Sequence, residues 1–156
     1  MSNSQRENII ANVVTALGNV TTGNGYNNTL VSVQRFQQDG LSVASVPCAV
    51  VNFDQERKVV GPLDRVTCTL DIGIDIWAVH DPVTVSGSTA TLLDSLAADV
   101  EKAVMQDTSR GGYARDCFIE TVMPFRLTEG MPVSGMSLRL TCTHVHDISD
   151  PYLGRN

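Results

Sequence analysis

Across residues 65–80, Val66, Cys68, Leu70, Ile72, Ile74, Ile76 and Ala78 alternate with Arg65, Thr67, Thr69, Asp71, Gly73, Asp75 and Trp77. A period of two puts every second side chain on one side of an extended backbone, so the pattern predicts a strand with one buried face. At about 3.3 Å per residue this strand would reach ~53 Å, whereas a compact chain of this length is roughly 40 Å across. It must bend, with Gly73 near its middle able to supply a bulge, or find company in another subunit. The second option makes the chain read first as an assembly protein.

The remaining pattern supplies the rest of a domain. Ile9, Ile10, Val13, Val14 and Leu17 recur at helical spacing behind a possible Ser4 cap and ahead of Gly18, predicting a helix over 5–17. A Gly- and Asn-rich loop over 21–28 leads into a strand over 29–36, and a second strand covers 47–53. Two connectors are unusually apolar: 37–46 carries Leu41, Val43 and Val46, and 54–64 mixes charges with Val59, Val60 and Leu63. Each either packs on its own strands or forms an arm that binds a partner. Beyond the break at Asp81-Pro82, Ser88 or Thr89 caps a helix reaching 106, with Leu92, Leu93, Leu96, Val100 and Val104 as its apolar stripe. A loop over 106–116, a strand over 117–123 stopped by Pro124, and a strand alternating from Met136 to Thr143 complete the order α-β-β-β-α-β-β. This order predicts one α+β domain over 1–156: a two-layer sandwich with a largely antiparallel sheet of about five strands and two helices on one face.

Composition narrows the function classes. The 156 residues are 42% hydrophobic and 18% charged with a net charge of −6, an ordinary globular balance without the clustered Lys and Arg that grip phosphates. Such a surface can instead line a passage through which DNA slides without sticking. Cys48, Cys68, Cys117 and Cys142 fall in apolar strand-like runs with no C-x-x-C spacing, which reads as buried free thiols. The polar start predicts no secretory leader, and no stretch is long enough to span a membrane.

Candidate chemistry is sparse. Asp71 and Asp75 share a strand face, but their α-carbons would be about 13 Å apart, too far to work on one bond, so a solvated face is expected. His144-Val145-His146 puts two imidazoles on one side of a strand, and with His80 they make a conceivable metal site. No nucleophile elbow is present, and Gly23-Asn24-Gly25 lacks the Lys and Ser/Thr of a phosphate loop. Catalysis has no visible seat, so neither an enzyme nor a cofactor is expected.

Three stretches together carry a family resemblance. They are the opening helix from Arg6 through the exit Gly25-Tyr26-Asn27, the run Pro47-Cys48-Ala49-Val50-Val51 leading to the long alternating strand, and His144-Val145-His146-Asp147 followed by Asp150-Pro151-Tyr152. Over residues 5–153 the chain resembles the tail terminator, or tail completion, proteins of long-tailed bacteriophages. The resemblance implies a small α+β subunit forming a homo-oligomeric ring, usually a hexamer, at the head-proximal end of the tail tube. There it would end polymerisation of the tail tube protein and join the head-tail connector, while DNA passes through the lumen without specific binding. Its place would be the virion tail, and the host cytoplasm during assembly, with no membrane involved. Candidates for ring or tube contacts are Leu41, Val43, Arg57, Lys58, Trp77, Arg110 and Arg115, chosen for loop position or the polar strand face. Trp77 stands out, because an aromatic opposite the aliphatic stripe is covered by a partner or lies under a loop. Two other readings stay open: a neck protein on the portal side, and a small metal-dependent enzyme using His80, His144 and His146.

Overall fold

The first helix begins where the sequence places its cap. In the computed structural model, which describes residues 3–35, 45–79, 88–125 and 133–154, the Ser4 hydroxyl accepts a hydrogen bond from the Glu7 N–H, and α1 (Gln5–Gly18) follows. Its apolar stripe, Ile9, Ile10, Val13 and Leu17, is buried. The other elements are β1 (Ser32–Arg35), β2 (Cys48–Val60), β3 (Arg65–Val79), α2 (Ser88–Met105), β4 (Asp116–Pro124) and β5 (Val133–Asp147). The sheet order is β1-β2-β3-β5-β4, antiparallel throughout except for the β1–β2 pair. This is the expected α+β fold, with the expected order of elements.

The long strand does not run alone. β3 pairs with β5 from Arg65↔Asp147 to Val79↔Val133, and with β2 from Val60↔Val66 to Cys48↔Trp77. Residues 54–60, expected as part of a connector, continue β2, and only residues 61–64 make the turn into β3. A bulge at Asp54 hides this continuation from a period-two reading: Phe53 pairs with Ile72 and Gln55 with Asp71, which leaves Asp54 extra. Gly73, the expected bulge residue, lies across the ladder instead. A Cβ there would come within 3.1 Å of the Asp54 carboxylate, so its missing side chain leaves room for that group.

The even-numbered residues of β3 meet the helices. Leu70, Ile72, Ile74, Ile76 and Ala78 join Leu138 and Leu140 of β5 and the stripes of α1 and α2 in one buried cluster. Each fully buried Leu or Ile contributes roughly 2 kcal/mol, which makes this layer the main source of stability. The odd-numbered face is not the solvated surface expected for Asp71 and Asp75. Asp71 is buried and accepts hydrogen bonds from Gln55 (2.7 Å) and Thr141 (3.2 Å), with Arg57 at 3.4 Å. Asp75 accepts from Asn52 (3.0 Å) and Ser137 (2.7 Å). Cross-strand partners thus satisfy both carboxylates.

The cysteines also depart from expectation. Cys117 and Cys142 are direct partners in the β4–β5 ladder, 4.1 Å apart at Cα, and form a disulfide. Cys48 and Cys68 are free and buried, as expected. Register, not sequence spacing, brings the bonded pair together.

Candidate functional site

The bulge at Asp54 sets the phase of the outer half of β2. In a regular strand Phe53 and Glu56 would point to opposite faces; with the extra residue both lie on the helix side, opposite Ile72 and Leu70. Lys58 then pairs with Cys68, Cys68 with His144, and Val66 with His146. Glu56, Lys58, Cys68, His144 and His146 therefore share one face, at the end of the sheet where the α1 N-terminus lies. The chain's tail closes the other side: Gln5 Nε2 donates to the Tyr152 carbonyl (3.0 Å), and Gly154 bridges to His146. Between them opens a cavity of about 240 Å³ walled by Arg6, Glu56, Lys58, both histidines and the tail at Pro151 and Tyr152.

Glu56 is the centre of this cluster. Its Oε1 lies 3.0 Å from His144 Nε2, and its Oε2 lies 3.1 Å from Arg6 Nη1 and 3.3 Å from Lys58 Nζ. Burial pushes the Glu56 carboxyl up, but the His144 hydrogen bond and the Lys58 and Arg6 charges outweigh it and hold the group below its ordinary value. Burial is also the largest influence on His144 and lowers it; the Glu56 contact opposes this, while His146 and Lys58 add to it. At neutral pH Glu56 is ionised and His144 is neutral, so Nε2–H donates to Glu56. The His144 Nδ1 lone pair is then buried without a partner. Beneath the pair, burial and the Glu56 charge push the Cys68 thiol up to about 11. His146 Nδ1–H donates to the Asp147 carbonyl (2.6 Å), which leaves Nε2 facing Lys58 Nζ, 3.4 Å away.

Of the residues singled out in the sequence, only Lys58 and the two histidines enter this site. Leu41, Val43 and His80 lie outside the described residues. Arg57 is exposed on the opposite face of β2, beside Asp71. Arg115 is exposed, and its backbone N–H donates to the Thr143 carbonyl at 2.7 Å. Trp77 is half-buried under the chain's own Phe125, with ring centroids 4.8 Å apart, and packs with Val46, Cys48 and Val133. Arg110 does not belong to a contact surface at all: it is 1% exposed and donates to the Val104 and Asp107 carbonyls. A guanidinium there satisfies carbonyls that the end of α2 leaves without helical partners.

Sequence reasoning missed Glu56, Cys68 and Arg6 as members of a site. The H-x-H pair was the visible signal. Its partners join through strand register and a bulge, with Glu56 separated from His144 by 88 positions. No described helix is long and apolar enough to cross a membrane. No protein-family model matches the chain, and no curated protein matches it.

Proposed function

We propose that this chain is a structural subunit of a homo-oligomeric ring of the phage tail terminator kind, ending the tail tube and offering a surface to the head connector. The observation that carries this reading is the turn between β2 and β3. Val59, Val60 and Leu63 are 67%, 66% and 82% exposed there, and Ile148, whose N–H donates to the Asp64 carbonyl (2.7 Å), adds a fourth exposed apolar side chain. Apolar residues grouped at the end of a stiff hairpin mark a surface that another protein covers. The sheet's borders support the same reading. β1 pairs only with Cys48–Val51, which leaves the rest of β2 without a described neighbour on that side, and β4 borders the sheet with Phe118 and Met123 exposed. A net charge of −6 suits a lumen through which DNA moves freely.

Light scattering across a concentration series tests the ring, with a discrete multimer near six subunits as the expected result. Co-sedimentation with polymerised tail tube or with portal then separates a terminator from a neck protein. A strict monomer at every concentration that binds neither partner would overturn the proposal.

A further inference from the structure

We infer that Cys68, His144 and Glu56 form a binding site for one transition-metal dication of the zinc class, with His146 as the ligand at the open side. The inference is independent of the ring reading. A ligand atom from each of the first three residues lies within 4.8 Å of the others. Zinc ligands held tetrahedrally at about 2.0–2.3 Å sit roughly 3.5 Å from one another, so no pair among these three has to move by much more than an ångström, while His146 stands outside the group with its ring centroid 6.0 Å from that of His144. A thiolate, an imidazole and a carboxylate together select a borderline-soft ion; calcium and magnesium require oxygen throughout.

The surroundings favour a cation that accepts lone pairs. His144 presents Nε2 to Glu56 at 3.0 Å, and as the metal binds there the Nε2 proton passes to Nδ1, the ring nitrogen without a partner. His146 is held by its Nδ1–H bond to the Asp147 carbonyl, the outer-shell contact that fixes the tautomer of metal-binding histidines and frees Nε2. A cation already stands on the approach: Lys58 Nζ is shared between Glu56 Oε2 (3.3 Å) and His146 Nε2 (3.4 Å). Its side chain is 46% exposed, so it can swing into water as the metal enters. The sulfur–metal bond forms as the Cys68 thiol releases its proton to water. Lys58 and Arg6 both repel a dication, which makes Lys58 a competitor and fixes the direction of the test.

The test is cobalt(II) titration of the chelator-treated full chain, followed by absorption and then by zinc displacement. The expected result is one equivalent per chain, with a thiolate-to-cobalt charge-transfer band and the intense visible bands of a tetrahedral ion. Cys68→Ser should abolish the charge-transfer band, whereas Cys48→Ser should leave it unchanged. Lys58→Met should tighten binding by about tenfold or more, because a like charge near the ion is gone. This is a gain that folding damage cannot imitate, so it remains decisive should His144→Ala fail to fold. Absence of the charge-transfer band in both the wild type and Lys58→Met, or its persistence in Cys68→Ser, would overturn the inference.

Discussion

Asp99, buried on α2, answers four donors from the loop that follows α1, among them the Asn27 side-chain amide at 3.4 Å. It accepts from the Asn28 N–H and side-chain amide, both at 2.8 Å, and from the Asn27 N–H at 3.2 Å. Removing the carboxylate leaves these groups short of an acceptor, so Asp99→Ala should cost about 3 kcal/mol, measured as a lower urea midpoint with an unchanged slope. Gly135 is constrained by space rather than by polarity. A Cβ there would meet Phe125 Cδ2 at 2.5 Å, Trp77 Cε3 at 2.9 Å and the Ile76 carbonyl at 3.0 Å, and the backbone oxygen cannot step aside. Gly135→Ala should therefore destabilise the chain by about 2 kcal/mol and shift the emission of Trp77, the chain's single tryptophan. Neither role was legible beforehand: Asp99 sits on the helix between apolar neighbours, and Gly135 reads as part of a loop. Side chains that act through distant partners leave no local periodicity to read.

Among the elements, α1 carries weight beyond its own turns because its N-terminus walls the charged cavity. The Ser4 hydroxyl caps the Glu7 N–H at 3.2 Å, and Ser4→Ala should cost about 1 kcal/mol, seen as a lower melting temperature by circular dichroism. Both helices and β3 were legible because their apolar residues keep a single period from end to end. β2 was legible only to Phe53. Past that point the Asp54 bulge breaks the alternation, and Gln55, Glu56, Arg57 and Lys58 look like a solvated connector. The candidate site was lost with it, because two of its members, Glu56 and Lys58, reach the histidine face only through that bulge. His144 and His146 remained visible as a pair on one strand, while Cys68 read as core, which its burial bears out. Strand register joins the three, and a single sequence carries register only as strongly as its alternation is unbroken.

At the scale of the whole molecule, the hairpin tip sets local and global demands against each other. Leu63 adopts φ +60°, a left-handed conformation that Gly, Asn and Asp accept and a branched apolar side chain resists. Its neighbour Asp64, at φ +56°, is a residue suited to the position; Leu63 is not, and its side chain is also 82% exposed. Among the described residues nothing rewards an apolar residue there: exposure forfeits its hydrophobic contribution, and the backbone carries a cost. A covering partner would supply the missing reward by burying Leu63 together with Val59, Val60 and Ile148. The two demands predict opposite signs for one substitution. Leu63→Asp should leave the melting temperature of the isolated subunit unchanged or slightly raised, because the new side chain tolerates the backbone, and should dissociate the proposed ring by placing a charge in its contact. Sedimentation velocity beside thermal denaturation reads both at once. Loss of stability with the oligomer intact would make the tip an ordinary turn and remove the main support for a ring, whereas a stable, dissociated subunit would locate the contact at the end of the β2–β3 hairpin.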